Sequence, residues 1–299
     1  MKKSILLVLG FVFIFFISQI NAISLTNDTV FIEQYLADAE RGDADAQQNA
    51  GDYYYNSKRF EDAFRCYRKA ANQGNAKAQS SLGQMYANGF GVIKDEEESA
   101  KWHRKAAEQG VVLSQAALGA CYLSGIGVEV NYPEGAKWLL KAANQGGTQQ
   151  IVLDNQYLLA TLYTDSRFKV DYVSAVKWFL VAAKAGHPKA QGCLGEMYRQ
   201  GRGVEKDEFE AAKWLSKAAA QGDAGGQMNL GAAYKQGEGV PQDYVNAYKW
   251  MNLASATSDR NLAAFARMHR DNLLKVMTEE QVAEAQRLSR EFVPRAENK

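Results

Sequence analysis

The five tryptophans of this chain stand in register at Trp102, Trp138, Trp178, Trp214 and Trp250, separated by 36, 40, 36 and 36 residues. Gly110, Gly146, Gly186 and Gly222 each follow a tryptophan by eight residues, and Gly74 lies 36 residues before the first of them. A fixed period in this range marks one supersecondary unit copied along the chain, since a unit that small buries its apolar face only by stacking on a neighbour. The register overrides the one or two compact domains that a length of 299 residues would suggest.

One unit shows the mechanics. From Ala76 it reads AKAQSSLGQMYANGFGVIKDEEESAKWHRKAAEQG. Ala78, Leu82, Met85 and Tyr86 recur every three or four residues, which predicts an amphipathic helix of about three turns. Gly89 to Val92 ends it, because glycine tolerates the positive φ that follows a helix end. Ser99 to Glu108 forms the second helix, with Ala100, Trp102, Ala106 and Ala107 toward its neighbours. Small residues such as Gly83 and Ala107 let two helices approach while Trp and Tyr fill the space between units. The expected fold class is all-α, an α/α superhelical solenoid of stacked antiparallel helix pairs.

The stretches A-x-A-Q-x-x-L-G-x-x-Y-x-x-G-x-G-V and A-x-x-W-x-x-K-A-A-x-x-G resemble the Sel-one-like repeat (SLR) family, a relative of the tetratricopeptide repeat. The resemblance divides 43–258 into six repeats, 43–74, 75–110, 111–146, 147–186, 187–222 and 223–258. Two depart from the pattern. Residues 43–74 lack the double-glycine loop. Residues 147–186 gain about five residues before Leu159 and replace the loop with Asp165 to Val170, so an extra helical turn and a local change of pitch are expected. Residues 23–42 read as a capping helix. Residues 259–299 read as C-terminal capping helices, with a capping box at Thr278 and Gln281 and a stop at Pro294.

Residues 1–22 read as a secretory signal. Lys2 and Lys3 precede an apolar run from Ile5 to Ile17, and cleavage is expected after Ala22. That run of 13 is short for a spanning helix, which needs about 20. The chain is therefore expected to be exported, periplasmic or secreted, with no spanning segment after cleavage. Loss of the two lysines takes the formal charge from +1 to −1. Residues 23–52 hold seven acids against Arg41 alone, so the remainder is mildly basic. A field this weak gives no basis for nucleic-acid binding. Asn27-Asp28-Thr29 matches a glycosylation sequon.

Catalytic and metal chemistry is thinly supplied. The double-glycine loops join two helices, whereas nucleotide-binding loops follow a strand. His103, His187 and His269 have no ligand spacing and read as surface or turn residues. Ser166 and Lys169 form an S-x-x-K pair, but the K-T-G and S-D-N partners of that chemistry are absent from the sequence. Cys66, Cys121 and Cys193 fall inside predicted helices and read as small buried hydrophobes. Cys-rich members of the family cross-link their helix pairs, and this chain lacks the paired spacing for it. No catalytic residue, metal ligand or cofactor is assigned, and the chain is not read as an enzyme.

The resemblance implies that the first helix of each unit lines a concave face that binds a protein or peptide. Counting outward from each unit's leucine, the candidates are Tyr55, Lys77, Gln84, Asn88, Leu113, Leu123, Tyr157, Thr161, Lys189, Glu196, Arg199 and Lys235. Leu113, Ala116, Ala120 and Leu123 would give the middle unit an apolar stretch. The role the resemblance implies is a scaffold or adaptor in envelope-complex assembly or host-factor contact. Two alternatives stand beside it. One is an envelope enzyme acting on peptidoglycan or β-lactams, as claimed for some family members. The other is a cell-wall glycan-binding module using Tyr53, Tyr55 and Tyr157.

Overall fold

A computed structural model describes residues 36–145 and 150–295. The expected signal and the sequon lie outside them, as do residues 23–35 of the expected N-terminal cap; residues 36–40 of that cap are helical. Every regular element among the described residues is a helix. They fall into two compact units, within 1–147 and within 148–299.

The first unit holds α1 (Ala44–Asn56), α2 (Phe60–Asn72), α3 (Ala76–Asn88), α4 (Glu96–Glu108), α5 (Val112–Ser124) and α6 (Tyr132–Ala143). The second holds α7 (Gln150–Leu162), α8 (Tyr172–Lys184), α9 (Pro188–Gln200), α10 (Glu208–Ala220), α11 (Ala224–Gln236), α12 (Tyr244–Ala254), α13 (Arg260–Leu273) and α14 (Glu279–Arg290). Within each unit the odd helix packs on the even helix that follows it up to α12, and the even helix packs on the next odd one. Helices α1, α3, α5, α7, α9 and α11 are the first helices of their pairs.

Capping sets the boundaries. Asp95, Asn131, Asp171, Asp207 and Asp243 each accept an N–H from the first turn of α4, α6, α8, α10 and α12, satisfying donors that have no partner within the helix. Helix α4 therefore opens at Glu96, three residues before the expected Ser99. At the other end, Gly89, Gly125, Gly201 and Gly237 cap their helices in the left-handed conformation. The second glycine of each loop solves a different problem. A Cβ on Gly127 would collide with the Glu96 carbonyl at the start of α4, and one on Gly239 with the Glu208 carbonyl at the start of α10. The loops are thus the points where one pair's turn rests on the preceding pair's second helix.

In the four pairs that keep the Leu-Gly of the repeat, this glycine faces the residue after the tryptophan. Gly119 faces Leu139, Gly195 faces Leu215 and Gly231 faces Met251, each leaving no room for a methyl group. In the second pair the partner of Gly83 is His103, which is 3% exposed and places Nδ1 3.2 Å from Ser114 Oγ on α5. This histidine is core, not surface. Burial depresses its pKa to about 4.

A glutamine ladder ties pair to pair. Gln47, Gln79, Gln115, Gln191 and Gln227 each donate to the carbonyl of an alanine eight residues earlier, in the last turn of the preceding helix. Gln73, Gln109, Gln145 and Gln221 in turn donate to the side-chain carbonyls of Gln47, Gln79, Gln115 and Gln191. Trp138 and Trp214 are buried, and Trp102, Trp178 and Trp250 are half-buried. The ammonium three residues after Trp102, Trp138 and Trp214 lies over the ring at 3.9, 4.1 and 5.1 Å.

The irregular pair differs from expectation in an instructive way. Helix α7 has 13 residues, like its counterparts. It starts nine residues before Leu159, where α3 starts six before Leu82, and it ends three residues after, where α3 continues for six. A turn is gained at one end and lost at the other. Without a glycine cap the chain leaves α7 early, and Asp165 holds the turn by accepting from the Arg167 backbone and guanidinium. At the C-terminus the Thr278–Gln281 capping box forms and α14 packs on α12.

Candidate protein-binding surface

The first-helix candidates share sequence offsets, and the structure sorts them by what lies beneath. In the first unit, Lys77 and Asn88 on α3 are exposed and Gln84 between them is half-buried. Asn88 donates to the Gln84 carbonyl. Tyr55 is half-buried, meeting Phe60 and Phe90 edge-on at 5.4 and 6.1 Å, and burial raises its hydroxyl to about 12. Asp52 accepts from both Gln48 and the buried Tyr67 hydroxyl, at 2.9 and 2.7 Å.

The apolar stretch expected on the third pair is not a surface. Leu123 is only 8% exposed. Its Cδ2 occupies the space that a Cβ on Gly135 of α6 would need, at 2.7 Å. A leucine on one helix fills the notch left by a glycine on its partner, so Leu123 is core. Ala120 is buried as well, which leaves Leu113 and Ala116 half-buried.

In the second unit, α7, α9 and α11 bring together groups that sequence offsets alone did not connect. His187 caps α9, its Nδ1 accepting the Ala190 N–H at 3.1 Å. That bond assigns the ring proton to Nε2, which donates to Asp154 at 3.1 Å. Tyr157 stacks on the imidazole with ring centroids 5.0 Å apart. Its hydroxyl is hydrogen-bonded to Cys193, and burial raises both groups, the thiol to about 12. Asp223 caps α11 through Gly226; burial raises its pKa, while the nearby Lys189 ammonium offsets part of the effect. In the first unit, Asn75, the cap of α3, donates to Asp45 at 2.8 Å. The His187–Asp154 pair occupies the corresponding position, so it belongs to the same ladder of caps bonded to the preceding first helix.

Toward the other end of this face, Arg199 forms two hydrogen bonds with Glu196, at 2.9 and 2.7 Å, and Gln200 donates to the same carboxylate. Thr161 is half-buried and gives its hydroxyl proton to the Leu158 carbonyl. Lys189 is exposed, and Lys235 is half-buried close enough to His269 to lower that imidazole's pKa, burial being the larger cause. The structure therefore leaves Lys77, Asn88 and Lys189 open, with Gln84, Arg199 and Lys235 partly so. The signal that a sequence reading needed was the pairing of Leu123 with a glycine three residues before Trp138, and of His187 with Asp154 one unit back.

Cys66 and Cys193 are half-buried and Cys121 is buried, all as free thiols. Burial raises all three pKa values, the opposite of what a nucleophilic thiolate requires. Among the described residues, no group of three histidine, cysteine, aspartate or glutamate side chains has metal-binding geometry. None of the described helices is long and apolar enough to cross a membrane.

Helix pairs in fixed register, tied by glutamines and presenting polar side chains from one helix of each pair, define a repeat scaffold. The Sel1 repeat profile matches 44–75, 76–111, 112–147, 156–187, 188–223 and 224–256, and the chain belongs to the Sel1 repeat family. A Sel1 repeat protein from Oxalobacter formigenes is similar at 30% identity, over 72% of this chain and 86% of that one, with a TM-score of 0.65. A protective antigen of uropathogenic Escherichia coli with an SLR fold is 29% identical, covering 87% of this chain and 71% of that one, with a TM-score of 0.40. A component of the ERAD-associated E3 ubiquitin-protein ligase of Candida glabrata is 35% identical over 72 residues, which is 24% of this chain and 9% of that protein.

Proposed function

We propose that the chain is an exported, non-enzymatic scaffold that binds a protein or peptide across the first-helix face, in envelope-complex assembly or host-factor contact. The observation that carries this reading is the array itself: equivalent first-helix positions stand open in each unit, at Lys77 and Asn88 on α3 of the first and at Lys189 and Gln200 on α9 of the second. Repeat arrays bind through such extended surfaces, and the first-helix face is the one the tetratricopeptide resemblance makes concave. Raised thiols, and a histidine engaged at both ring nitrogens, argue against a nucleophile and base working together.

Export is tested by recovering the chain outside the cytoplasm and reading its first residue, Ile23 being expected. Binding is tested by reversing charge on open positions, Lys77→Glu with Lys189→Glu. Partner capture is expected to fall at least ten-fold while the Lys101→Glu chain, altered on the outer face, captures as the wild type does. Equal capture by all three would remove the assignment of the face. The enzymatic alternative predicts hydrolysis of peptidoglycan or a β-lactam by the purified chain, abolished by one substitution.

A further inference from the structure

The chain's last described residues occupy a second surface, on the even helices. Beyond α14, Phe292 meets Trp250 of α12 edge-on, with ring centroids 5.4 Å apart. Pro294 lies over Gly222, and the Arg295 backbone N–H donates to the Ala220 carbonyl at 2.9 Å. Val293 between them is 70% exposed. The segment thus runs extended, with its aromatic ring and its proline toward the helices and the intervening side chain outward.

Three features make this place a receptor. First, Ala220 closes α10, and the last carbonyls of a helix lack partners within it and carry the negative end of its dipole. An incoming N–H satisfies one of them. Second, Trp250 lacks the lid that covers Trp102, Trp138 and Trp214, because the third residue on is Leu253 instead of lysine. Lys249 takes over, with Nζ 4.4 Å from the Trp250 ring centre and 5.9 Å from that of Phe292. Third, the seat is loosely filled: a groove of about 350 Å³ remains between Ala220, Trp250, Leu288, Phe292 and Val293. At Gly74 and Gly110, the glycines equivalent to Gly222 in the first unit, nothing lies over the backbone, so the covering at Gly222 comes from the tail and not from the repeat.

We propose that the edge formed by the end of α10 and Trp250 is a docking site for an extended partner segment bearing an aromatic residue and, two residues on, a proline. The chain's own Phe292–Arg295 segment is its resident, displaceable occupant. This site is separate from the first-helix face and does not depend on that face binding anything.

The probe is a fluorescein-labelled peptide carrying residues 288–299, titrated by anisotropy into the full-length chain. Two full-length variants open the seat: Phe292→Ala removes the ring, and Arg295→Pro removes the N–H that Ala220 accepts, together with an exposed side chain. The expected result is binding at least ten-fold tighter to Phe292→Ala than to wild type, a smaller gain for Arg295→Pro, and no binding by a probe whose phenylalanine is alanine. Adding Trp250→Leu to Phe292→Ala is expected to abolish the gain, whereas Lys77→Glu with Lys189→Glu leaves it intact. Equal affinity for wild type and both variants would overturn the proposal. So would a wild-type dimer that Phe292→Ala dissolves, because the occupant would then be the tail of a second copy.

Discussion

His103 and Ser114 form a paired exception to the repeat. Elsewhere an apolar side chain stands opposite the glycine, as Leu139 and Leu215 do, and three pairs have alanine where Ser114 stands, at Ala46, Ala78 and Ala190. Ser114→Ala alone strands the buried imidazole nitrogen and is expected to cost about 1–3 kcal/mol in urea denaturation. Replacing both residues, His103→Leu with Ser114→Ala, restores the repeat's own packing and is expected to recover most of that loss. The folded imidazole titrates near 4 and the unfolded one near 6.5, so the unfolded chain binds the extra proton between those values. This contribution is intact above the unfolded pKa and is lost as the pH falls toward 4. The loss reaches about 2–3 kcal/mol by pH 4.5, and the double variant, which has no imidazole there, is expected not to show it. Identical pH profiles for the two chains would show that His103 is not buried as described.

Leu123 carries the sharpest correction at this scale. Leu123→Ala is expected to cost about 2–4 kcal/mol, whereas Leu113→Ala, half-buried, costs less than about 1.5. Equal costs would return Leu123 to the surface. The offset from the repeat leucine identified its side of the helix but not what packs there. That depends on Gly135, whose missing side chain becomes meaningful only once α5 and α6 are placed together. The burial of His103 is hidden from the sequence for the same reason, since Gly83 and Ser114 give it its cavity from two other helices.

The loops are where one element rests on another, and the second glycine of each differs from the glycine that joins one pair to the next. Gly127 combines a positive φ with contact against the Glu96 carbonyl, whereas Gly110 has a positive φ and open space. Gly110→Ala is therefore expected to cost about 1 kcal/mol through backbone strain alone. Gly127→Ala adds a steric collision and is expected to cost about 3 kcal/mol or more. Thermal or urea melts distinguish these, and equal losses would contradict the stacking role. The element pattern was largely legible, because the Trp and Gly registers place both helices of a regular pair. The capping residues carry the same 36, 40, 36 and 36 spacing from Asp95 to Asp243, so the true start of each second helix was available seven residues before each tryptophan. The glutamine ladder was visible as A-x-A-Q, yet its purpose appears only when Gln109 reaches Gln79 across two helices. The shifted α7 was half legible: the extra residues forecast a longer approach to Leu159, but the missing glycine loop also removed the turn after it.

Across the molecule, both units use the same construction, and the proposed binding rests on repetition more than on any concentrated site. The formal charge of +1 gives no long-range field to select a partner, so selection rests on local side chains. The docked C-terminal segment was not legible in the sequence, because Phe292, Pro294 and Arg295 find partners at Trp250, Gly222 and Ala220, 42, 72 and 75 residues earlier. What the sequence does convey is that equivalent positions recur, so a surface can be tested by position. A photoreactive amino acid placed in turn at Lys77, Asn88, Lys189 and Arg199 samples the first-helix face, and at Lys101 and Lys213 the outer face. The account predicts that the first four cross-link a shared partner in cells and that Lys101 and Lys213 do not; the same products from both sets would contradict it.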